Sequence, residues 1–232
     1  MERAAATTLR GNPLTVLGPE LKVGDKAPDF EAIDNGLKAV TLATTGNGVR
    51  IFSVVPSLDT PVCDAQTKRF EEETGKLPNV SIYTFSMDLP FAQKRWCGAF
   101  GVDHVKMVSD HRTGSFGQAY GTLIKDLRIH SRAIFVVGSD NVLRYVEYVK
   151  EVGDHPNYDA ALAAARAIAV GAAEAAVTAA FTTAGAIAAT TAFATATAAV
   201  TATAFTTATA RSEEHTSELQ SHHDLVCRLL LE

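Results

Sequence analysis

The sequence predicts an α/β fold, in which a sheet is flanked by helices. Four short apolar runs rich in β-branched and aromatic residues are separated by segments with helical spacing, and strands that alternate with helices are typical of this class. The chain has 232 residues, of which 47% are hydrophobic and 20% charged, so it can bury a sizeable core. The predicted strands are VRIFSVV (49–55), VSIYTFS (80–86), RAIFVVG (132–138) and LRYVEYV (143–149).

Prolines mark the start of two predicted helices. Pro61, which follows Thr60, and Pro90 suit the first helical position, where the missing N–H is not needed and the fixed φ helps. The turn sequence GSDN (138–141) between two apolar runs predicts a β-hairpin at the end of the sheet. In chain order, the predicted helices cover 61–74, 90–99, about 115–120, and a segment that begins near Tyr158.

Charge and cysteine content exclude several classes of protein. Residues 1–166 carry 19 Lys and Arg against 20 Asp and Glu, and residues 167–232 carry 2 against 6, which leaves no strongly basic face for nucleic acid. Cys63, Cys97 and Cys227 form no C-x-x-C pair, which argues against a secreted disulfide framework and against a zinc ribbon. The opening residues lack an apolar run of signal-peptide length, so we expect a cytoplasmic protein.

Composition changes abruptly near residue 166, so we expect a globular domain over 1–166 and an appended low-complexity tail over 167–232. Residues 167–210 are almost entirely Ala and Thr with scattered Val, Phe and Ile. This part is a poor membrane span, because Thr is abundant in it and Leu is absent. The following RSEEHTSELQS (211–221) resembles the translation of a sequencing-adaptor oligonucleotide, so we infer no function from it.

The segment FSVVPSLDTPVCDAQTKRF (52–70) places a cysteine at the start of a helix. With Thr60 as the N-cap, Cys63 is the third helical residue, where free N–H groups and the positive end of the helix dipole favour a thiolate over a thiol. The Thr60 hydroxyl can hydrogen-bond the sulfur or an oxygen bound to it, and Pro56 and Pro61 stiffen and shield the loop. Cys63 is therefore the candidate nucleophile, although an arbitrary helix cysteine is more often a small buried hydrophobe.

The pattern P-x-x-x-T-x-x-C, here Pro56, Thr60 and Cys63, resembles the active-site signature of peroxiredoxins. The longer string PSLDTPVC, followed by QTKRF, is similar to the thiol peroxidase branch of that family. The resemblance covers about residues 8–166, and the further matching segments follow the family's order. They are GNPLTV (11–16), VGDKAPDF (23–30), SMDLPFAQKRWCGAFGV (86–102), SDHRTGSFGQAYG (109–121), SRAIFVV (131–137) and YDAAL (158–162).

This resemblance implies a thioredoxin-like fold, a mixed sheet flanked by helices, with an N-terminal β-hairpin. It implies that Cys63 is the peroxidatic cysteine and that Thr60 activates the peroxide beside it. An arginine at the start of a later strand completes the anion site in the family, and Arg132 has that position, with nearby Arg128 as its competitor. A guanidinium suits the role because it is permanently charged and offers several fixed donors.

The resemblance also implies that Cys97 is the resolving cysteine. It would condense with a Cys63 sulfenic acid to form a disulfide within one subunit, which thioredoxin then reduces, without a metal, haem or flavin cofactor. The family further implies a homodimer that reduces hydrogen peroxide and organic hydroperoxides. Phe91, Trp96 and Phe116 either line a pocket for apolar peroxides or pack in the core.

Three alternatives remain open at the level of sequence. A thioredoxin-like redox sensor or binding module would use the same disulfide as a switch, without turnover. Cys63 and Arg69 also satisfy the C-x-x-x-x-x-R spacing of cysteine phosphatases, but CDAQTKR has no glycine for a tight anion loop. A metal site from both cysteines with His104 and His111 lacks a close pair of ligands, and loop positions are the simpler interpretation of these histidines.

Overall fold

The computed structural model describes residues 1–77 and 79–171, which form a sheet with helices on both faces. The first part of the chain contains β1 (Glu2–Leu9), β2 (Asn12–Leu17), β3 (Ala32–Asp34), β4 (Ala39–Val40), β5 (Val49–Val54) and α1 (Pro61–Thr74). The second part contains β6 (Val80–Ser86), α2 (Pro90–Phe100), β7 (Lys106–Ser109), α3 (Ser115–Ala119), β8 (Leu123–Ile124), β9 (Ala133–Val137) and β10 (Leu143–Tyr148). A last helix, α4, begins at residue 158 and is described through residue 171.

The main sheet of the described residues has seven strands in the order β10-β9-β5-β6-β7-β3-β4. Its centre is parallel, because β6 pairs in parallel with both β5 and β7, whereas β9, β10, β3 and β4 pair antiparallel. All six residues of β5 are buried, as expected for a central strand covered on both faces. The mixed sheet confirms the predicted fold class.

The two faces of the sheet bury two separate cores. Along β5, Ile51 points into the core beneath α1, α2 and α4, and the next residue, Phe52, points into the core beneath α3. The first core contains Cys63 and Phe70 from α1 together with Trp96 from α2. The site of Cys63 therefore lies on one face of the sheet only.

An N-terminal hairpin adds a second, three-stranded sheet of order β1-β2-β8. Its turn is formed by Arg10 and Gly11, both with positive φ, and glycine adopts that conformation without strain. The Glu151 carboxylate accepts hydrogen bonds from both turn N–H groups, at 2.9 and 3.1 Å, and so fixes the hairpin to the domain. The predicted N-terminal hairpin is thereby confirmed.

The predicted elements occur close to their predicted positions. The hairpin of β9 and β10 turns at 138–141, with Asn141 at φ 59° and its N–H donated to the carbonyl of Gly138. The sequence did not predict β3, β4, β7 and β8, which have two to four residues each and too little apolar alternation to be recognised.

The helix α4 extends past residue 166, the predicted end of the domain. Ile168 and Ala169, on this extension, pack against the core. Arg166 bonds Glu73 of α1 at 2.9 Å. The expectations about residues 172–232, including Cys227 and the adaptor-like segment, lie outside the described residues. Within the described ranges, no helix has the length and apolar character needed to cross a membrane.

Candidate active site

The loop between β5 and α1 brings Cys63 into the core at a helix N-terminus. Thr60 has extended backbone angles, φ −109° and ψ 145°, and is the N-cap, so Pro61 is the first helical residue and Cys63 the third. Cys63 is fully buried, as is Pro56 earlier in the loop. The predicted position of the cysteine is confirmed, and the free N–H groups of the first turn surround it.

A carboxylate beneath the loop fixes its course. Asp88, which follows β6, accepts hydrogen bonds from the Ser57 hydroxyl, the Leu58 N–H and the Ser86 hydroxyl, each at 2.8 Å. The loop that carries Thr60 is therefore tied to the end of the neighbouring strand. Sequence reasoning missed Asp88, because its partners are about 30 residues away along the chain.

The Thr60 side chain bonds the sulfur and leaves the helix end uncapped. Its Oγ1 lies 2.8 Å from Cys63 Sγ and 3.1 Å from the carbonyl oxygen of Ser57, and it makes no capping hydrogen bond. A hydroxyl that donates to sulfur stabilises the thiolate. Thr60 is exposed while Cys63 is buried, so the threonine lies on the solvent side of the sulfur.

Arg132, the residue just before β9, reaches the same sulfur from the sheet. Its Nη2 donates to Cys63 Sγ at 3.4 Å, its Nη1 to Gln66 Oε1 at 2.7 Å and its Nε to the carbonyl of Val152 at 3.0 Å. The side chain is only 1% exposed, and burying a charge is costly unless it is paired. Of these three acceptors, only the sulfur can carry a full negative charge.

A buried amide links the guanidinium to the sheet. Gln66 accepts from Arg132 and donates through Nε2 to the Ser53 hydroxyl at 2.7 Å, and both polar side chains are fully buried. The bridge fixes the plane of the guanidinium and therefore its approach to the sulfur. Sequence reasoning missed Gln66, whose available signal was an amide three residues after Cys63, on the face that α1 buries.

The two rival arginines lie elsewhere. Arg128 is exposed in the turn after β8, with φ 55°, so the structure brings Arg132 and not Arg128 to the sulfur. Arg69 lies on the exposed part of α1 and pairs with Glu73 at 3.7 Å and Asp159 at 3.5 Å. The phosphatase interpretation is wrong, because the stretch from Cys63 to Arg69 is helical and forms no anion-binding loop.

A buried histidine, His130, lies two residues before Arg132 and is close to the buried carboxylate of Asp110. His130 Nε2 is 3.5 Å from Asp110 Oδ2, and its Nδ1 is 3.1 Å from the Thr122 hydroxyl. Burial lowers the pKa of His130 to about 3, and burial also raises the pKa of Asp110 to about 6 against the opposing N–H groups of Gly117 and Phe116. The histidine is therefore neutral and supports the backbone from which Arg132 projects.

Cys97 lies near the C-terminal end of α2 and is half-buried. It lines an open cavity of about 510 Å³, together with Asn35 and Lys106 among others. Burial raises the pKa of the Cys97 thiol, and a hydrogen bond from Asn35 opposes this. Both Cys63 and Cys97 are free thiols in this structure.

The residues beside Cys97 on α2 face the other cysteine's loop. Trp96 and Phe100 line a groove of about 260 Å³ together with Thr60 and Pro61. Cys97 does not line this groove; it lines the separate cavity described above and also packs against the first core. Both thiols are free, so a disulfide between them requires part of the chain to move.

The other candidate residues, Phe116, Phe91, His104 and His111, lie away from the Cys63 sulfur. Phe116 is fully buried in the core beneath α3, stacked on Phe85 at 3.8 Å between ring centroids, so it packs on the opposite face of the sheet from Cys63. Phe91 is 67% exposed. His104 bonds Glu71 at 2.6 Å, and His111 bonds the Ser109 hydroxyl at 2.8 Å, so each histidine has its own partner.

The fold and the site define a class of protein. A buried cysteine at the N-terminus of the helix that follows a central strand, with an N-cap threonine and a buried arginine at its sulfur, is the arrangement of a thioredoxin-like thiol protein. A family model described as Redoxin matches residues 22–162, which contain all of these elements.

Individual relatives narrow the class. A thiol peroxidase of Halalkalibacterium halodurans is 53% identical over 163 residues, which cover 70% of this chain and 98% of the relative. A thiol peroxidase of Bacillus subtilis is 52% identical over 164 residues, 71% of this chain and 98% of the relative. A solved peroxiredoxin-like protein of Aquifex aeolicus is 38% identical, with a TM-score of 0.66 over 71% of this chain and 98% of that structure. The chain belongs to the thiol peroxidase branch of the redoxin family.

Proposed function

We propose that this chain is a thiol peroxidase in which Cys63 is the peroxidatic cysteine, Thr60 and Arg132 stabilise the reacting atoms, and Cys97 is the resolving cysteine. The observation that carries the proposal is the position of Cys63 Sγ, 2.8 Å from the Thr60 hydroxyl and 3.4 Å from the Arg132 guanidinium. Family membership independently supports a thiol-dependent peroxidase.

In the first step, the Cys63 thiolate attacks one oxygen of the peroxide. A sulfur–oxygen bond forms as the O–O bond breaks, and the second oxygen leaves as water or an alcohol after it takes up a proton. The hydroxyl of Thr60 and the guanidinium of Arg132 donate hydrogen bonds to the oxygens on which negative charge develops. Their donors are fixed before the peroxide arrives, because Arg132 is held by Gln66 and by the Val152 carbonyl.

In the second step, the Cys97 thiol condenses with the Cys63 sulfenic acid. A sulfur–sulfur bond forms and the sulfenic oxygen leaves as water. An external dithiol, which we propose is thioredoxin, then attacks this disulfide through a mixed disulfide. It gives up two electrons and two protons and leaves as a disulfide, so that Cys63 and Cys97 return to thiols. The cycle uses cysteine sulfur alone as its redox centre.

The proposed substrates are hydrogen peroxide and organic hydroperoxides. The groove lined by Thr60, Trp96 and Phe100 lies beside the loop that carries Thr60, and most of its surface is apolar, although Asp59 and Asp64 also line it. An alkyl group there would bury carbon against the two aromatic rings while its peroxide reached Thr60. Trp96 therefore retains the pocket role that the sequence left open for it.

Turnover tests the proposal against a redox sensor. Full-length protein at 1 µM or so, mixed with excess peroxide and a thioredoxin–reductase couple, is expected to consume many equivalents of peroxide per chain. Mass spectrometry after one equivalent without reductant should find Cys63 linked to Cys97 within one chain. A single oxidation without turnover would identify a sensor, and a link to Cys227 or between two Cys63 residues would replace the resolving scheme.

We further propose a cytoplasmic homodimer whose catalytic part ends with α4, with the segment beyond it dispensable. The cysteine content and the family resemblance support the compartment and the dimer. Because Ile168 and Ala169 pack on the core, a truncation should retain residues up to 171. Deletion of 172–232 is expected to leave turnover and the dimer mass, measured by light scattering, unchanged, and a fall in either would show that the tail contributes.

A further inference from the structure

Two side chains, buried Gln93 and partly exposed Glu71, hold the chain on either side of Cys97. On the N-terminal side, Gln93 is fully buried and donates through Nε2 to the Ser86 hydroxyl at 3.0 Å and to the Val108 carbonyl at 3.1 Å. These bonds fix the first turn of α2 to the ends of β6 and β7. This turn is therefore held when the other end of the helix moves.

On the C-terminal side, one carboxylate collects the backbone of the loop after α2. Glu71 of α1 accepts hydrogen bonds from the N–H groups of Asp103, His104 and Val105, at 3.0, 3.0 and 2.8 Å. The ring of His104 adds a contact at 2.6 Å. We name this set of contacts between Glu71 and residues 103–105 the Glu71 clamp.

The hydrogen bonds of the clamp favour the ionised form of the Glu71 carboxyl group. Burial raises the pKa of Glu71, but the N–H groups of Val105 and His104 together outweigh this effect and hold the pKa below its ordinary value. Hydrogen bonds to an ionised acceptor are about twice as strong as neutral ones. The loop is thus attached to α1 more firmly than its exposure suggests.

The stretch between the two anchors contains exposed residues and two glycines. Residues 94 and 95 and residues 98–101 are exposed, and Gly98 and Gly101 both follow Cys97. Glycine weakens a helix interior, and Gly101 ends α2 in the left-handed conformation, with φ 65°. Trp96 and Val102 are buried in the first core, so unwinding of the backbone from 94 to 102 between the two anchors requires these side chains to leave it.

The clamp is near enough to Cys63 for the disulfide to form without its release. Glu71 lies eight residues after Cys63 on the same helix, which is about 12 Å along its axis. Asp103 lies six residues after Cys97, and an extended chain of that length spans about 20 Å. An unwound segment that is still tethered at 103 can therefore carry Cys97 to Cys63.

We infer that Glu71 is a positioning residue for the disulfide step, because it fixes the far end of the moving segment to the helix that carries Cys63. This inference rests on the proposed resolving role of Cys97. The clamp limits the rearrangement to 94–102 and keeps Cys97 close to its partner sulfur. Without it, a longer stretch of chain must be ordered for each disulfide formed.

The test compares Glu71→Gln with Glu72→Gln, an exposed neighbour on the same helix that removes the same charge. The amide of Glu71→Gln replaces one accepting oxygen with a donor that faces the loop N–H groups. The single tryptophan of the chain, Trp96, lies beside Cys97, so its fluorescence after one equivalent of peroxide follows the movement of α2. Rapid quenching and mass spectrometry count the sulfenic acid and the disulfide separately.

We expect Glu71→Gln to form the Cys63 sulfenic acid at the wild-type rate and the disulfide about three- to tenfold more slowly, with Glu72→Gln unchanged in both steps. Equal or faster disulfide formation in Glu71→Gln would overturn the inference. Hydrogen exchange provides a second test that needs no variant. In the oxidised wild type, amides 94–102 should lose protection while 103–105 retain it, and loss at 103–105 would equally overturn the inference.

The outcomes separate this inference from the function on which it rests. If the wild-type chain forms no link between Cys63 and Cys97, the proposed resolving step fails whatever the variants do. If the link forms at the same rate in the wild type and in Glu71→Gln, the resolving step stands and the positioning role of Glu71 is wrong.

Discussion

The surroundings of Cys63 and Cys97 differ in burial, in charge and in freedom to move. Cys63 lies in the first turn of α1 and is fully buried, with a hydroxyl and a guanidinium on its sulfur. Cys97 lies in the last turns of α2, half-buried, with Gly98 directly after it and Gly101 at the end of the helix. A helix dipole favours a thiolate at its N-terminus and opposes one at its C-terminus, so the two sulfurs experience opposite fields.

The difference separates the two demands of the proposed cycle. The attack on a peroxide needs donors held in place before the substrate arrives, and a buried network supplies them. The disulfide needs one sulfur to travel, and a short, exposed helix end with weak helix formers allows this. A chain that carries both cysteines can thus keep one site rigid because the other one moves.

The largest expected effect comes from removing the fixed sulfur. Cys63→Ser should abolish peroxide reduction, because a serine hydroxyl gives no comparable nucleophile at neutral pH. Peroxide consumption measured with an excess of thiol reductant checks this. Cys97→Ser is the matched control, since it should still form one equivalent of sulfenic acid and then stall with thioredoxin. Retained turnover in Cys63→Ser would show that Cys63 is not the peroxidatic cysteine, and the contrast drawn between the two cysteines would fail.

Loss of the guanidinium should be the next largest effect. Arg132→Ala is expected to slow sulfenic acid formation by on the order of 10²–10³-fold, since it removes a fixed donor and leaves Gln66 without its partner. Arg128→Ala, which removes the exposed arginine nearby, should have no such effect. Stopped-flow measurement of the first step distinguishes the two variants. Equal rates for both would show that Arg132 has only a structural role.

The hydroxyl should matter less than the charge. Thr60→Val keeps the shape of the side chain and removes its donor, and we expect sulfenic acid formation to slow by on the order of 10²-fold. Thr60→Ser keeps the hydroxyl and should stay within a few-fold of wild type. The ratio of the two variants isolates the hydrogen bond, and a Thr60→Val rate equal to that of Thr60→Ser would exclude it from the first step.

The smallest expected effect is a pH dependence of the moving cysteine. Burial raises the pKa of the Cys97 thiol, so its thiolate fraction increases as pH rises through 7 and 8. The disulfide step should therefore accelerate by up to about tenfold per pH unit in this range, because the thiolate is the attacking form. Rapid quenching at each pH measures it. A flat profile would mean that release of the helix end, rather than thiol ionisation, limits the step.

Sequence alone predicted those parts of the site that depend on local signals. The Thr60-Pro61 pair marked the start of α1, and the helix spans the predicted 61–74. The family motif indicated Thr60, Cys63 and Arg132, which the structure brings together around one sulfur. It could not exclude Arg128, because both arginines lie close together in sequence and only the strand that begins at residue 133 decides which one points inward.

The missing parts depend on contacts between distant residues. Gln66 of α1 bonds Ser53 of β5, and Asp88, which follows β6, bonds Ser57 in the loop before α1. No local sequence pattern predicts either contact. The orientation of Cys97 was also out of reach, because helical spacing does not say which face of α2 meets α1. Sequence distance between the two cysteines therefore could not show that Cys97 lines a cavity separate from the groove beside Thr60.

The Thr60 hydroxyl has one proton and two acceptors within reach, the sulfur at 2.8 Å and the Ser57 carbonyl at 3.1 Å. It can donate to only one of them at a time. A thiolate is a stronger acceptor than a carbonyl, so a Cys63 thiolate would draw the proton to sulfur, and loss of that charge on oxidation would favour the carbonyl. Rotation of a single hydroxyl would then couple the charge on the sulfur to the backbone of its own loop.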